Sequence, residues 1–207
     1  MTRVVKKPEV RRADIVEAAR DLFGANGFEG TTMHDLMREL NVAKGTIYHY
    51  FKSKEELLEA VINNIADESI KRMEFIVDET TGDALTKIRA LVSAGRVADN
   101  NQDLMQQLHR STNAGMHARL LAVVLQQQAA LYAKLFQQGH DEGLFQLAAP
   151  PLETAEFILT SIQFLTDEGI FPWTGETLLR RAQAFPSLVE KQLGARPGSF
   201  DFLFPRM

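Results

Sequence analysis

The residues best suited to a chemical task stand close together in this chain: Lys44, Gly45, Thr46, Tyr48, His49 and Tyr50, with Lys54 just beyond them. A lysine can hydrogen-bond guanine O6 and N7 or a phosphate oxygen, and a threonine can bond a base or phosphate while touching a thymine methyl. A glycine lets a helix N-terminus come close to its target. Tyr48, His49 and Tyr50 can donate to phosphate oxygens while their rings pack on the sugar-phosphate ridge. Lys54 falls in the first turn of a following helix, where a phosphate also meets free N–H groups and the positive end of the helix dipole. The chemistry these residues share is recognition of duplex DNA. Taken singly, each also has a plain reading: Tyr50 as a core residue, His49 as a surface histidine, Lys52 as a solvated cation. Their clustering on one short segment favours recognition.

That segment needs supports, and the preceding residues supply them. From Arg11 to about Asn26, the apolar residues Ile15, Ala18, Ala19, Leu22 and Phe23 recur at helical spacing, which predicts an amphipathic helix closed by Gly27. Phe28 is then free to fold back onto the apolar stripe. Thr31 and Thr32 offer hydroxyls to cap a second helix, and Asp35 completes an approximate capping box with Thr32. Both threonines are also candidate DNA contacts. Met33, Leu36, Met37 and Leu40 form the buried stripe of that helix. Asn41 tolerates the left-handed backbone that a sharp turn requires. A third helix then starts near Ala43 or Lys44 and turns Ile47 and Phe51 inward.

Charge is divided along the 207 residues. The net charge is -4, yet residues 1–54 carry ten Lys/Arg against seven Asp/Glu, and the remainder carries thirteen against twenty. Attraction to phosphate is screened within about 8–10 Å, so a basic front end on an acidic body places the polyanion at the front. Residues 1–10, with Arg3, Lys6 and Lys7, read as a flexible arm, either reaching a DNA groove or serving only as a solubilising tail. Absence of cysteine excludes disulfides, thiolate catalysis and Cys-based zinc sites. No run of eighteen apolar residues and no signal-peptide core occurs, so a cytoplasmic protein without a membrane span is expected.

The run TTMHDLMRELNVAKGTIYHYFKSKEELL resembles the DNA-binding domain of the tetracycline-repressor (TetR) family. Tyr48 and Phe51 supply that family's spaced aromatics, Lys54 its lysine and Leu57 its leucine; the helix ending Ala18 to Phe28 matches as well. The match covers about Arg11 to Leu58. Asn41 stands where the family usually has glycine, and Met37 where it usually has a small residue. The resemblance implies an all-α fold: an N-terminal three-helix helix-turn-helix DNA-binding domain plus a C-terminal helical ligand-binding and dimerisation domain. The expected division is an arm over 1–10, the DNA-binding domain over 11–54, a linking helix over 55–76 and the effector and dimerisation domain over 77–207. The linking helix, with Leu57, Leu58, Val61, Ile62 and Ile65 on one face, is implied to carry the signal between them.

The body reads as helical throughout. Leu85 to Val92 mark one helix, Leu104 to Thr112 another, and Ala114 to about Gln138 a long one, with Gly139 and Gly143 bracketing a turn. Pro150 and Pro151 suit the first turn of a helix reaching about Thr166. A last segment, Glu176 to Leu193, is expected to kink or restart at Pro186. The resemblance implies that these last two helices form a homodimer interface, and two reading heads about 34–36 Å apart would span a palindromic operator. It also implies a pocket for a small-molecule effector, with Met105, His109, Met116, His117, Phe136, Phe164 and Trp173 as candidates. His109 and His117 lack the spacing of a helical metal pair, so no metal is expected. Neither a catalytic residue nor a cofactor is indicated, since the chain has no glycine-rich phosphate loop, nucleophile elbow or carboxylate cluster. The expected function is a sequence-specific transcriptional regulator, a repressor released from its operator by a small molecule. The alternative is the same DNA-binding module governed by a protein partner or acting constitutively.

Overall fold

Pro8 opens the first helix, α1 (Pro8–Asn26), at a position where a missing N–H forfeits no bond. The helix therefore starts three residues before the expected Arg11 and takes in the end of the presumed arm. The computed structural model describes residues 7–97, 113–167, 169–171 and 173–204; Arg3 and Lys6 lie outside the described residues, as does the expected helix from Leu104 to Thr112. Gly27, at φ 80°, ends α1 and returns its N–H to the Phe23 carbonyl.

Seven further helices follow among the described residues, and no strand. They are α2 (Met33–Glu39), α3 (Lys44–Tyr50), α4 (Lys54–Glu79), α5 (Ala84–Val97), α6 (Ala114–Asp141), α7 (Pro151–Thr166) and α8 (Gly175–Leu193), with a short 3-10 turn at Asp201–Leu203. Two compact units result. Residues 7–67 with 113–121 form one, and 68–97 with 122–204 form the other, so both α4 and α6 begin in the first unit and continue into the second.

In the first unit α1 packs on α2 and α2 on α3. Ile15, Ala19, Phe23, Leu36, Ile47, Phe51, Leu57 and Ile62 are wholly or almost wholly buried. The expected stripe of α2 is narrower than its sequence implied: Leu36 alone is buried, while Met33, Met37 and Leu40 remain partly accessible.

The second unit is built on a core of Ile88, Leu135, Phe136, Phe145, Leu159 and Phe200 among others. Helix α6 runs through Gly139 and stops at Asp141; the Phe145 ring lies where a side chain at 139 would be, and the turn is made at Gly143, φ 73°. Pro151 occupies the first turn of α7 as its sequence predicts. Helix α8 continues through Pro186 without restarting and ends at Gly194 in the left-handed conformation. A Cβ there would sit 2.5 Å from the Gln146 carbonyl oxygen.

Candidate nucleic-acid interface

The second and third helices are locked by local hydrogen bonds. Asp35 N–H donates to Thr32 Oγ1 (3.2 Å) and Thr32 N–H donates to Asp35 Oδ2 (2.9 Å), a closed capping box. The Thr32 hydroxyl and backbone N–H hold the Asp35 carboxyl below its ordinary value, with Arg38 adding a smaller effect. Asn41 takes φ 50°, the only non-glycine positive φ among the described residues, so the turn is made as its residue type predicts. The chain then enters α3 with Ile47 buried and Phe51 almost so.

With Ile47 turned inward, the other positions of this seven-residue helix fall into pairs one turn apart: Lys44 with Tyr48, Gly45 with His49, Thr46 with Tyr50. Lys44, Gly45 and His49 are exposed; Thr46, Tyr48 and Tyr50 are partly so. The Lys44 ammonium lies 5.3 Å from the centre of the Tyr48 ring, and the His49 and Tyr50 rings meet edge to face at 4.9 Å. A Cβ built on Gly45 meets nothing within 4 Å, so packing within this chain does not require glycine there. Lys52, expected to be merely solvated, donates from Nζ to the Tyr48 carbonyl (2.9 Å) at the C-terminal end of α3.

Two expected contacts are placed differently. Thr31 is fully buried, and its hydroxyl donates to the carbonyls of Gly27 (2.9 Å) and Leu22 (3.1 Å). Its assignment to the DNA surface is therefore corrected: Thr31 ties the turn after α1, whereas Thr32 stays exposed. Lys54 has a structural engagement that its motif did not announce. Its Nζ donates to the Phe28 carbonyl (2.8 Å) and lies 4.2 Å from the centre of the Phe28 ring.

The same Phe28 peptide is held from its other side by a residue that sequence reasoning missed. Its N–H donates to Oδ1 of Asn113 (3.2 Å), a buried side chain immediately before α6. In the second turn of α6, Arg119 pairs with Glu59 of α4. A buried asparagine beside a helix start was the available signal, but nothing in the sequence indicates its partner 85 residues away.

Elsewhere on this unit a depression of about 540 Å³ runs along α1 and the end of α2. Asp14, Glu17, Asp21 and Glu39 line it with one cation, Arg11, which pairs with Asp14, and the net negative wall repels phosphate. This is not where a duplex would sit.

The described candidate effector residues are divided between the two units. Met116 and His117 are buried in the first unit, whereas Phe136 is buried in the core of the second. Phe164 is 47% exposed on α7, and Trp173 follows it in a chain of rings in which Phe171 meets Phe164 edge to face and stacks on Trp173. The Arg181 guanidinium covers the Trp173 ring at 3.6 Å. Met105 and His109 lie outside the described residues. Of the candidates, only Phe136 lines the apolar cavity of about 250 Å³ in the second unit. Ile88, Ile158 and Val189 contribute further walls, and Phe200 and Phe204 of the C-terminal segment complete it. Among the described residues no cluster of three His, Asp or Glu could hold a metal ion, and no helix is long and apolar enough to cross a membrane.

Comparison with known proteins agrees with this geometry. The model for bacterial regulatory proteins of the tetR family matches residues 15–61, and that for the tetracyclin repressor-like C-terminal domain matches residues 96–188. An uncharacterized HTH-type transcriptional regulator, YfiR of Bacillus subtilis, is 28% identical over 72% of this chain and 75% of its own length. The HTH-type transcriptional repressor KstR2 of Mycobacterium tuberculosis is 25% identical over 70% of this chain and 74% of its own. Among solved structures, a TetR-family transcriptional regulator of Pectobacterium atrosepticum superposes with a TM-score of 0.62 at 21% identity, covering 93% of this chain and 98% of that one.

Proposed function

The chain belongs to the tetR family of bacterial regulatory proteins and is a DNA-binding transcriptional regulator, and from that premise we propose a homodimeric repressor that a small molecule releases from a palindromic operator. The observation that carries the reading is α3. It is a short helix with its apolar side inward, donors and rings on its accessible sides, and a glycine that internal packing does not require. Such a helix suits the major groove, with Lys44, Gly45 and Thr46 at its leading end near base edges and Tyr48, His49 and Tyr50 against the backbone. Thr32 and Lys54 are assigned to phosphates at either side.

Dimerisation is supported by α7 and α8. Leu152, Phe157 and Phe164 on α7, and Leu179 and Leu188 on α8, are large apolar side chains 42–61% exposed. Covering them with a second copy would remove that surface from water and set two reading heads side by side. A single head makes a small contact, and pairing multiplies affinity.

The repressor sense is supported by the KstR2 relative, which is named a repressor. For release, the effector must bind the DNA-incompetent form better than the competent one, and operator must weaken effector binding by the same factor. The connection has a physical basis in the continuity of α4 and α6, whose first turns are tied to the head through Asn113 and Arg119.

Substitution separates the assigned roles. Thr46→Val is expected to change which operator variants bind best. Lys54→Ala should weaken binding to every sequence and lower the slope of log affinity against log salt by about one. Equal effects of both on every sequence, measured by fluorescence anisotropy across a salt series, would contradict the assignment.

A further inference from the structure

The cavity in the second unit is almost wholly apolar. All eleven side chains that line it are apolar in their bulk, and the only polar atom they carry is the hydroxyl of Tyr132. No Lys, Arg, His, Asp or Glu lines it. The phenol is surrounded closely enough that burial pushes it up to about 12, so it stays neutral at any physiological pH. It is the one side-chain group on the walls that can donate or accept a hydrogen bond. The neighbouring carboxylate, Glu190, follows Val189 on α8 and is already engaged, accepting from the Phe200 N–H (3.1 Å). That bond fixes the C-terminal segment whose Phe200, Leu203 and Phe204 form one wall, with Phe204 stacked on Phe185 at 5.6 Å.

We propose that this cavity is the effector site and that its occupant is a small, uncharged, hydrocarbon-rich molecule carrying one hydrogen-bonding oxygen, an alcohol, ketone or ester, placed against Tyr132. The inference rests on the reading of the chain as ligand-responsive and adds the class of ligand. Volume sets the size: about 250 Å³ lies just below the range of about 300–1,000 Å³ usual for ligand pockets. Charge sets the class, since a carboxylate or ammonium would leave water for a wall that offers it no counter-ion. The hydroxyl sets the orientation. A pure hydrocarbon would fit the walls and make no use of the phenol, whereas an oxygen at one end of the chain can hydrogen-bond to it and fix the orientation.

The test uses the intact protein with N-phenyl-1-naphthylamine as an uncharged fluorescent probe, displaced in turn by 1-octanol, n-octane and octanoate at neutral pH. Octanol is expected to displace the probe at least about tenfold more effectively than octanoate. Tyr132→Phe, which removes a single oxygen, should weaken octanol by about five- to tenfold and leave octane unchanged. Octanoate equal to octanol, a probe that does not bind, or a Tyr132→Phe variant that treats octanol and octane as the native protein does would each overturn the proposal. Operator release is read separately by anisotropy. Octanol bound in this pattern but leaving the operator complex intact would overturn the site's role as effector site while the chemistry of its walls stood. Release by a charged compound that does not displace the probe would uphold ligand response and place the effector elsewhere.

Discussion

A methyl group added at Gly45 would enter open space, because no atom of this chain comes within 4 Å of it. Glycine within a helix costs about 0.5–1 kcal/mol relative to alanine. Gly45→Ala is therefore predicted to leave folding unchanged or slightly stabilised, while weakening operator binding by about tenfold, the order of one base-edge contact. Urea unfolding and anisotropy on the same preparation check both halves; a variant that binds as well as the native protein would remove the close-approach role. Thr31 should behave in the opposite way. Replacing its buried hydroxyl, as in Thr31→Val, deprives the carbonyls of Gly27 and Leu22 of a donor. A loss of about 1–3 kcal/mol in stability is expected, with DNA affinity of the folded protein preserved. The two threonines are neighbours of the same type, and either suits a cap or a phosphate. Only the turn from Gly27 to Thr31, which tertiary packing sets, decides that one is buried and the other exposed. Lys54 illustrates the same limit: its motif position was legible, but its bond to the Phe28 carbonyl was not.

At the scale of elements, three helix starts depend on carboxylates held below their ordinary values. For Asp35 of α2 the main cause is the Thr32 hydroxyl, for Asp83 before α5 the Thr86 hydroxyl, and for Glu55 of α4 its own backbone N–H. A carboxyl lowered in the folded state contributes stability that is full above its ordinary value and is lost as pH falls through the folded value. The urea midpoint is thus predicted to fall only below the ordinary values of 3.8 and 4.5. Asp35→Asn should lower stability near neutrality yet converge with the native protein in acid; a constant difference at all pH values would contradict the capping role. Thr32→Ala should cost about 1 kcal/mol. For the described helices, existence and type are readable from apolar spacing, and so are Gly27, Asn41 and Pro151 as punctuation. The discrepancies sit where a long-range neighbour overrides a local signal. Gly139 is helical and leaves the space of its missing side chain to Phe145, and Pro186 is carried inside a helix whose flanking residues Phe185 and Val189 are buried.

For the molecule as a whole, the apolar side chains on α7 and α8 give the dimer reading its consequence. Phe157→Glu combined with Leu188→Glu changes two exposed positions, 61% and 56% accessible, and leaves the interior untouched. Sedimentation is predicted to show a monomer, with operator affinity lower by about a hundredfold as avidity is lost. An unchanged sedimentation coefficient would place the interface elsewhere. The membership of residues 113–121 in the first unit could not be read from the sequence, since it depends on Asn113 meeting a peptide 85 residues earlier. Nor could the cavity, because its walls are the same Ile, Leu, Val and Phe that fill any core, and a void leaves no mark on composition. The reading head was legible because its function requires residue types that a core does not. Its role is tested most directly by selecting bound duplexes from a random pool, with the native protein and with Thr46→Val in parallel. A palindrome with half-sites about 34–36 Å apart is expected, altered at defined positions by the substitution. Recovery of no common sequence, or of the same sequence by both proteins, would contradict it.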